Sequence, residues 1–135
     1  IMLDSYCKTI QVEAATALKM ARNQIFPACL EYLNKIAKVS LNIEKNDIDN
    51  TFIKEEVNEL TELIKTMKLS INVLESSINK ALNMKEDIYS KALVWKDEVL
   101  VAMTNLRIIV DTLEMKVDSK YWPMPTYTDI LFGVN

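Results

Sequence analysis

The chain has few residues with which to turn. One glycine and three prolines serve 135 residues, where average usage is about 7% and 5%. Few turns mean long elements, and the apolar residues recur at helical spacing along most of the length. The fold class predicted is all-α: an antiparallel bundle of three long helices over residues 1–120, followed by a proline- and aromatic-rich tail over 121–135. Half of the residues are apolar, enough for one real core in a chain of this size.

Helix one is predicted over residues 4–39, its seam running Leu3, Cys7, Ile10, Ala14, Ala17, Ala21, Ile25, Cys29, Tyr32, Ile36 and Val39. The step from Ala21 to Ile25 is four residues where the heptad rhythm gives three. Pro27 follows, removing a backbone donor and crowding the carbonyl four residues back. A kink near residues 23–27 is expected. The stretch Asn42 to Thr51 then loses the periodicity and collects Asn and Asp, side chains that favour turns and caps over helix interiors.

Helix two is predicted from about Phe52 to Leu82, with an unbroken seam of Ile53, Val57, Leu60, Ile64, Met67, Ile71, Leu74, Ile78 and Ala81. Helix three follows from about Glu86 to Asp118, with Ile88, Ala92, Trp95, Val99, Ala102, Leu106, Ile109 and Leu113 on its seam. A second stripe (Tyr89, Leu93, Leu100, Met103, Val110) is expected to widen its buried face. The heptads pass through the boundary without a slip, so a single helix of roughly 100 Å over 52–118 competes with a turn. Ordinary helices are far shorter, and the turn is the better reading. Asn83-Met-Lys-Glu86 fits an N-cap with Glu three residues on.

What the chain lacks excludes most chemistry. It contains no histidine, so neither a Ser-His nor a Cys-His nucleophile pair can form, nor the Glu-x-x-His iron motif of ferritin-like bundles. No glycine-rich loop offers itself to phosphate, and two cysteines make no zinc site. The glutamates 55, 56, 59 and 62 lie opposite the apolar seam and read as a solvated face, not a metal site. Seven methionines suit core filling better than an adaptable groove. Cys7 and Cys29, 22 residues apart on one helix, would stand roughly 33 Å from each other, too far for a disulfide. A net charge of −3 with Lys and Glu interleaved recommends neither nucleic acid nor an anionic membrane. The longest apolar run, Val99 to Met103, is far short of the roughly 20 residues of a membrane span. The start, Ile1-Met2-Leu3, reads as that of a segment from a longer cytoplasmic polypeptide.

Candidate functional residues therefore lie in contacts. The last fifteen residues hold four of the ten aromatics (Tyr121, Trp122, Tyr127, Phe132), two prolines (Pro123, Pro125) and the only glycine. Each aromatic can bury roughly 150–250 Å², so the segment has to dock on something. Trp122, Pro123, Pro125, Thr126, Tyr127 and Phe132 are the candidate docking residues. Arg107 and Asp111 join them, being four apart on helix three and able to pair; Glu13 and Arg22 flank the seam of helix one in the same way. No catalytic, cofactor or metal residue is predicted.

Both ends of the chain resemble one family. Val99 to Met103, Leu106-Arg107, Asp111, Leu113-Glu114, Val117, Trp122-Pro-Met-Pro-Thr-Tyr127 and Leu131-Phe132 are similar to the C-terminal end of type III glutamine synthetases. Tyr6, Glu13-Ala14, Met20-Ala21, Gln24-Ile25, Pro27-Ala28 and Tyr32 resemble the segment that leads out of their catalytic domain. Helix two matches in character only. At Val101 many relatives are expected to carry proline, so helix three is expected to be straighter here. The resemblance implies a parent enzyme that joins ammonia to glutamate with ATP and Mg or Mn, in a ring-shaped homo-oligomer. The metal and nucleotide sites would lie upstream of Ile1, and the partner of this segment would be the catalytic domain of its own chain. A helical domain serving assembly, stability and perhaps regulation, inactive alone, is the function so implied; a freestanding coiled-coil or bundle interaction module is the alternative.

Overall fold

A computed structural model describes residues 2–125. Helix one comprises α1 (Met2–Met20), a π turn (Ala21–Ile25) and α2 (Phe26–Lys45); α3 spans Thr51–Asn83. The third helical stretch comprises α4 (Ile88–Val94), a second π turn (Trp95–Val99) and α5 (Leu100–Lys116), and a short 3₁₀ turn follows at Ser119–Tyr121. All regular structure among the described residues is helical.

The first π turn resolves the irregular step in the seam. A π turn takes up one extra residue, so Ala21 and Ile25 both stay buried although they are four apart where three was due. The Phe26 amide donates to the Ala21 carbonyl, five residues back, and Pro27, with no amide to offer, stands immediately after. The second π turn has the same form, Leu100 donating to Trp95. No seam slip announces it. Helix three is thus locally widened just before Val101, where a straighter helix was expected.

Helix one runs six residues beyond its expected end. Lys45 is its last residue, and the chain leaves through a Schellman closure: Ile48 N–H donates to Ile43 C=O, and Asp47 N–H to Glu44 C=O. Asp47 takes the left-handed conformation (φ 56°) usual for glycine at this position. Three residues on, buried Asn50 donates through Nδ2 to the carbonyl and the hydroxyl of Ser40, both at 3.2 Å. That bond explains a further difference: Ser40, not Val39, is the buried residue at this end of α2.

The heptads do not continue as one rod. The helix stops at Asn83, and Met84 is extended (ψ 137°). The capping residue is Asp87, not Asn83, its Oδ1 accepting from the Ser90 amide at 2.8 Å. Asp87 wins because it sits three residues before a free amide of the new helix, and this hydrogen bond holds its carboxyl below the usual range.

One core joins the elements. Leu60, Ile64, Met67, Ile71, Leu74, Ile78 and Ala81 of α3 are buried between Ile10, Ala14, Ala21 and Cys29 on one side and Trp95, Val99, Leu106 and Leu113 on the other. The second stripe of helix three departs from expectation. Tyr89 is 65% exposed and Leu93 45%, while Leu100, Met103 and Val110 are at best half-buried. The small residues of the facing helix, Ala17 and Ala21, leave a gap beside that stripe that their side chains cannot fill.

Candidate functional site

The chain leaves α5 at Lys116, and Asp118 starts the 3₁₀ turn by accepting from the Lys120 amide at 3.1 Å. The turn lays Tyr121 on helix one. Its ring meets Tyr32 at a centroid distance of 5.6 Å and 56° tilt, with the Lys35 ammonium 5.4 Å and the Lys120 ammonium 5.7 Å from its centre. Tilted aromatic contacts of this kind add about 0.5–1.5 kcal/mol to the area buried. Trp122, next in the chain, is only 7% exposed and belongs to the core. Its Nε1 has no hydrogen-bond partner among the described residues. Pro123 and Pro125 are exposed, and Met124 between them is half-buried. Thr126, Tyr127 and Phe132 lie outside the described residues.

Met124 lines an open trough of about 540 Å³ between α1 and α5. Ala17, Met20 and Ile25 form one wall and Leu100, Met103 and Val110 the other. Two charged residues singled out in the sequence, Glu13 from α1 and Arg107 from α5, both line the trough. Arg107 does not pair with Asp111; among the described residues neither takes part in an ion pair, and both are exposed. The pairing potential of a four-residue spacing is weak in water, a few tenths of a kcal/mol, and does not hold these side chains together.

The ion pairs that do form cross between helices. Arg22 meets Glu75 at 2.8 Å, Lys80 meets Glu98 at 2.7 Å, and Lys116 meets Glu59 at 2.7 Å. In the first, the Arg22 hydrogen bond keeps Glu75 below the ordinary carboxylate range, and in the last, Glu59 raises Lys116. Arg22 was marked by the sequence as an unusual residue beside a seam. Its partner was not, because one glutamate among many on α3 carries no distinguishing signal. Tyr32 and Lys35 were likewise invisible as contacts of Tyr121.

Cys7 and Cys29 are free and buried, and burial pushes the Cys29 thiol up to about 11 and the Cys7 thiol upward as well, so neither is a ready nucleophile. Among the described residues no three of the Cys, Asp and Glu side chains stand together as a metal site. No described helix is long and apolar enough to cross a membrane. What these residues define is a helical domain whose end folds back on its first helix and opens an apolar trough beside it.

Known proteins match this chain in sequence. The family model described as the glutamine synthetase C-terminal domain matches residues 1–45, the whole of helix one. A glutamine synthetase of Bacteroides fragilis is 25% identical over 98% of the chain, the type-3 glutamine synthetase of Dictyostelium discoideum 27% over 98%, and a glutamine synthetase of Butyrivibrio fibrisolvens 28% over 99%. The chain is similar to the C-terminal part of these glutamine synthetases, type 3 among them, and the similarity runs through helix two as well as both ends. It spans 19% of the length of each of these relatives.

Proposed function

We propose that this chain is the C-terminal, non-catalytic helical domain of a type III glutamine synthetase, contributing to the assembly and stability of a cytoplasmic homo-oligomer. The parent joins ammonia to glutamate at the expense of ATP. The observation that carries the reading is the match to a type-3 enzyme over 98% of this chain but 19% of that enzyme. The ATP and Mg or Mn of the parent belong outside this segment: it has no histidine, and its described carboxylates do not converge. Within the domain the three helical stretches form an antiparallel bundle, bent at the first π turn. The order of the ion pairs supports this, Glu59 with Lys116 and Lys80 with Glu98 running in opposite senses along α3 and the third stretch.

Two measurements test the reading. The purified chain, given glutamate, ammonia, ATP and Mg²⁺, forms no glutamine; turnover by the chain alone overturns the assignment. In the intact parent, Trp122→Ala lowers the melting temperature or the oligomer mass in sedimentation more than it lowers kcat per assembled site. Unchanged mass and melting in that variant would remove the assembly role.

A further inference from the structure

The register between helix one and helix three follows from the residues that line the groove between them. Leu3 and Tyr6 stand with Tyr89 and Leu93 around a first hollow, and the trough further along joins residues 13–25 to residues 100–110. The two helices therefore run parallel, with Tyr6 near the level of Leu93, Glu13 near that of Leu100, and Arg107 seven residues beyond. At about 1.5 Å per residue, the two opposite charges stand on opposite walls about 10 Å apart along the trough. Neither is in an ion pair with a described residue. Between them the lining is apolar, from Met20, Leu100 and Met103, and the small Ala17 and Ala21 leave room for side chains. A volume of about 540 Å³ and apolar walls with a few placed polar groups are the make-up of a small-molecule site. Both π turns border it: Ala21 and Ile25 belong to the first, and Leu100 closes the second. Such turns occur frequently at functional sites. We propose that the trough binds a short apolar peptide with free termini, about three residues long, its ammonium at Glu13 and its carboxylate at Arg107. Three extended residues span about 10 Å, the separation of the two charges. A single amino acid reaches one of them but not both, and a fatty acid would satisfy Arg107 while laying its tail against Glu13.

The inference does not depend on the parent enzyme and is tested on the 135-residue chain, with trileucine as the probe. Calorimetric titration shows saturable one-to-one binding with a Kd below about 1 mM. Acetylating the probe's N-terminus or amidating its C-terminus weakens binding about fivefold each, the weight of one exposed ion pair, and triglycine, which has no apolar side chains, does not bind. In a sample labelled at the methionine methyls, Met20 and Met103 shift on titration, while Met115, 88% exposed and outside the trough, does not. Charge reversal supplies an independent arm at two exposed positions. Glu13→Arg and Arg107→Glu each weaken trileucine binding about fivefold, and the two together restore it, the peptide then lying in the opposite direction. Absence of saturable binding, equal binding of the blocked probes or of triglycine, shifts confined to methionines outside the trough, or a double variant no better than the single ones each overturns the proposal.

Discussion

Proline in the middle of a helix ordinarily costs about 3 kcal/mol or more, because it forfeits one hydrogen bond and drives its ring against the carbonyl four residues back. Val101→Pro should escape most of that cost. The two π turns supply the reason. Pro27 comes one residue after Phe26, which closes the five-residue hydrogen bond to Ala21; Val101 comes one residue after Leu100, which closes the same bond to Trp95. A π turn displaces one carbonyl from its usual donor and widens the backbone there, so the position after it can lose an amide with little left unpaired. The residue before proline normally avoids helical angles, yet Phe26 sits at φ −58°, ψ −50° ahead of Pro27. Leu100 has nearly the same angles, φ −62°, ψ −38°. Val101 is 50% exposed, so half of its side-chain burial is not there to lose. Against this stands a gain of about 0.4–1 kcal/mol from a stiffer unfolded chain. The net change expected is within about 1 kcal/mol of zero, whereas Asn105→Pro, four residues further along the same exposed helix, should lose about 3 kcal/mol. Urea unfolding followed by circular dichroism measures both. A Val101→Pro variant as damaged as Asn105→Pro would show that the second π turn does not prepare this site, and the argument from Pro27 would fail.

Trp122→Ala should cost about 3–5 kcal/mol in the same assay, as deletion of a buried aromatic does. Trp122→Phe should cost less than half as much, since it removes an indole N–H that has no described partner; equal losses would mean that the N–H is satisfied. Asp47→Gly should stabilise by up to about 1 kcal/mol, because the left-handed backbone at residue 47 is strained for any residue with a Cβ; a lower urea midpoint refutes this. Acid should weaken the fold through Asp49, Glu75 and Asp87, whose folded pKa values are all depressed by hydrogen bonds from Thr51, Arg22 and Ser90. Their contribution is complete above the unfolded carboxylate range, about pH 5, and is lost as pH falls through the folded values; removing Arg22 should flatten that acid limb, and an unchanged slope would discount the Glu75 pair.

Most of the fold was legible because each helix repeats one instruction. The seam of α3 predicted its buried residues from Leu60 to Ala81 because heptad spacing over so many turns leaves one face to bury. The four-residue step at Ala21 was equally plain, and its structural form, a π turn, follows from keeping one extra residue on the same face. The second π turn was not legible: Trp95, Val99 and Ala102 stay in heptad step across it, so the pattern gives no sign of the inserted residue. The cap at Asp87 was missed because two acceptors, Asn83 and Asp87, competed within five residues, and only the geometry of the exit from α3 decides between them. Among site residues, Trp122 was visible as an aromatic too costly to expose. The side chains that receive its neighbour Tyr121 were not, since Tyr32 and Lys35 look like ordinary members of a helix face.

The stripe Tyr89, Leu93, Leu100, Met103 and Val110 shows why periodicity stops short of function here. A pattern of apolar spacing says that a face avoids water; it does not say which neighbour does the covering. Helix three presents two such faces, and α3 covers the first with a seam that is mostly of large residues from Leu60 to Ile78. Along the trough, helix one meets the second with Ala17 and Ala21, too small to close the distance, so the middle of that stripe stays open as the trough and its start, at Tyr89 and Leu93, stays in water. Had those alanines been leucines, the trough would be core and Met124 would have nothing to line. The short, alanine-rich wall of helix one is therefore as much a part of the candidate site as the aromatic residues that follow helix three.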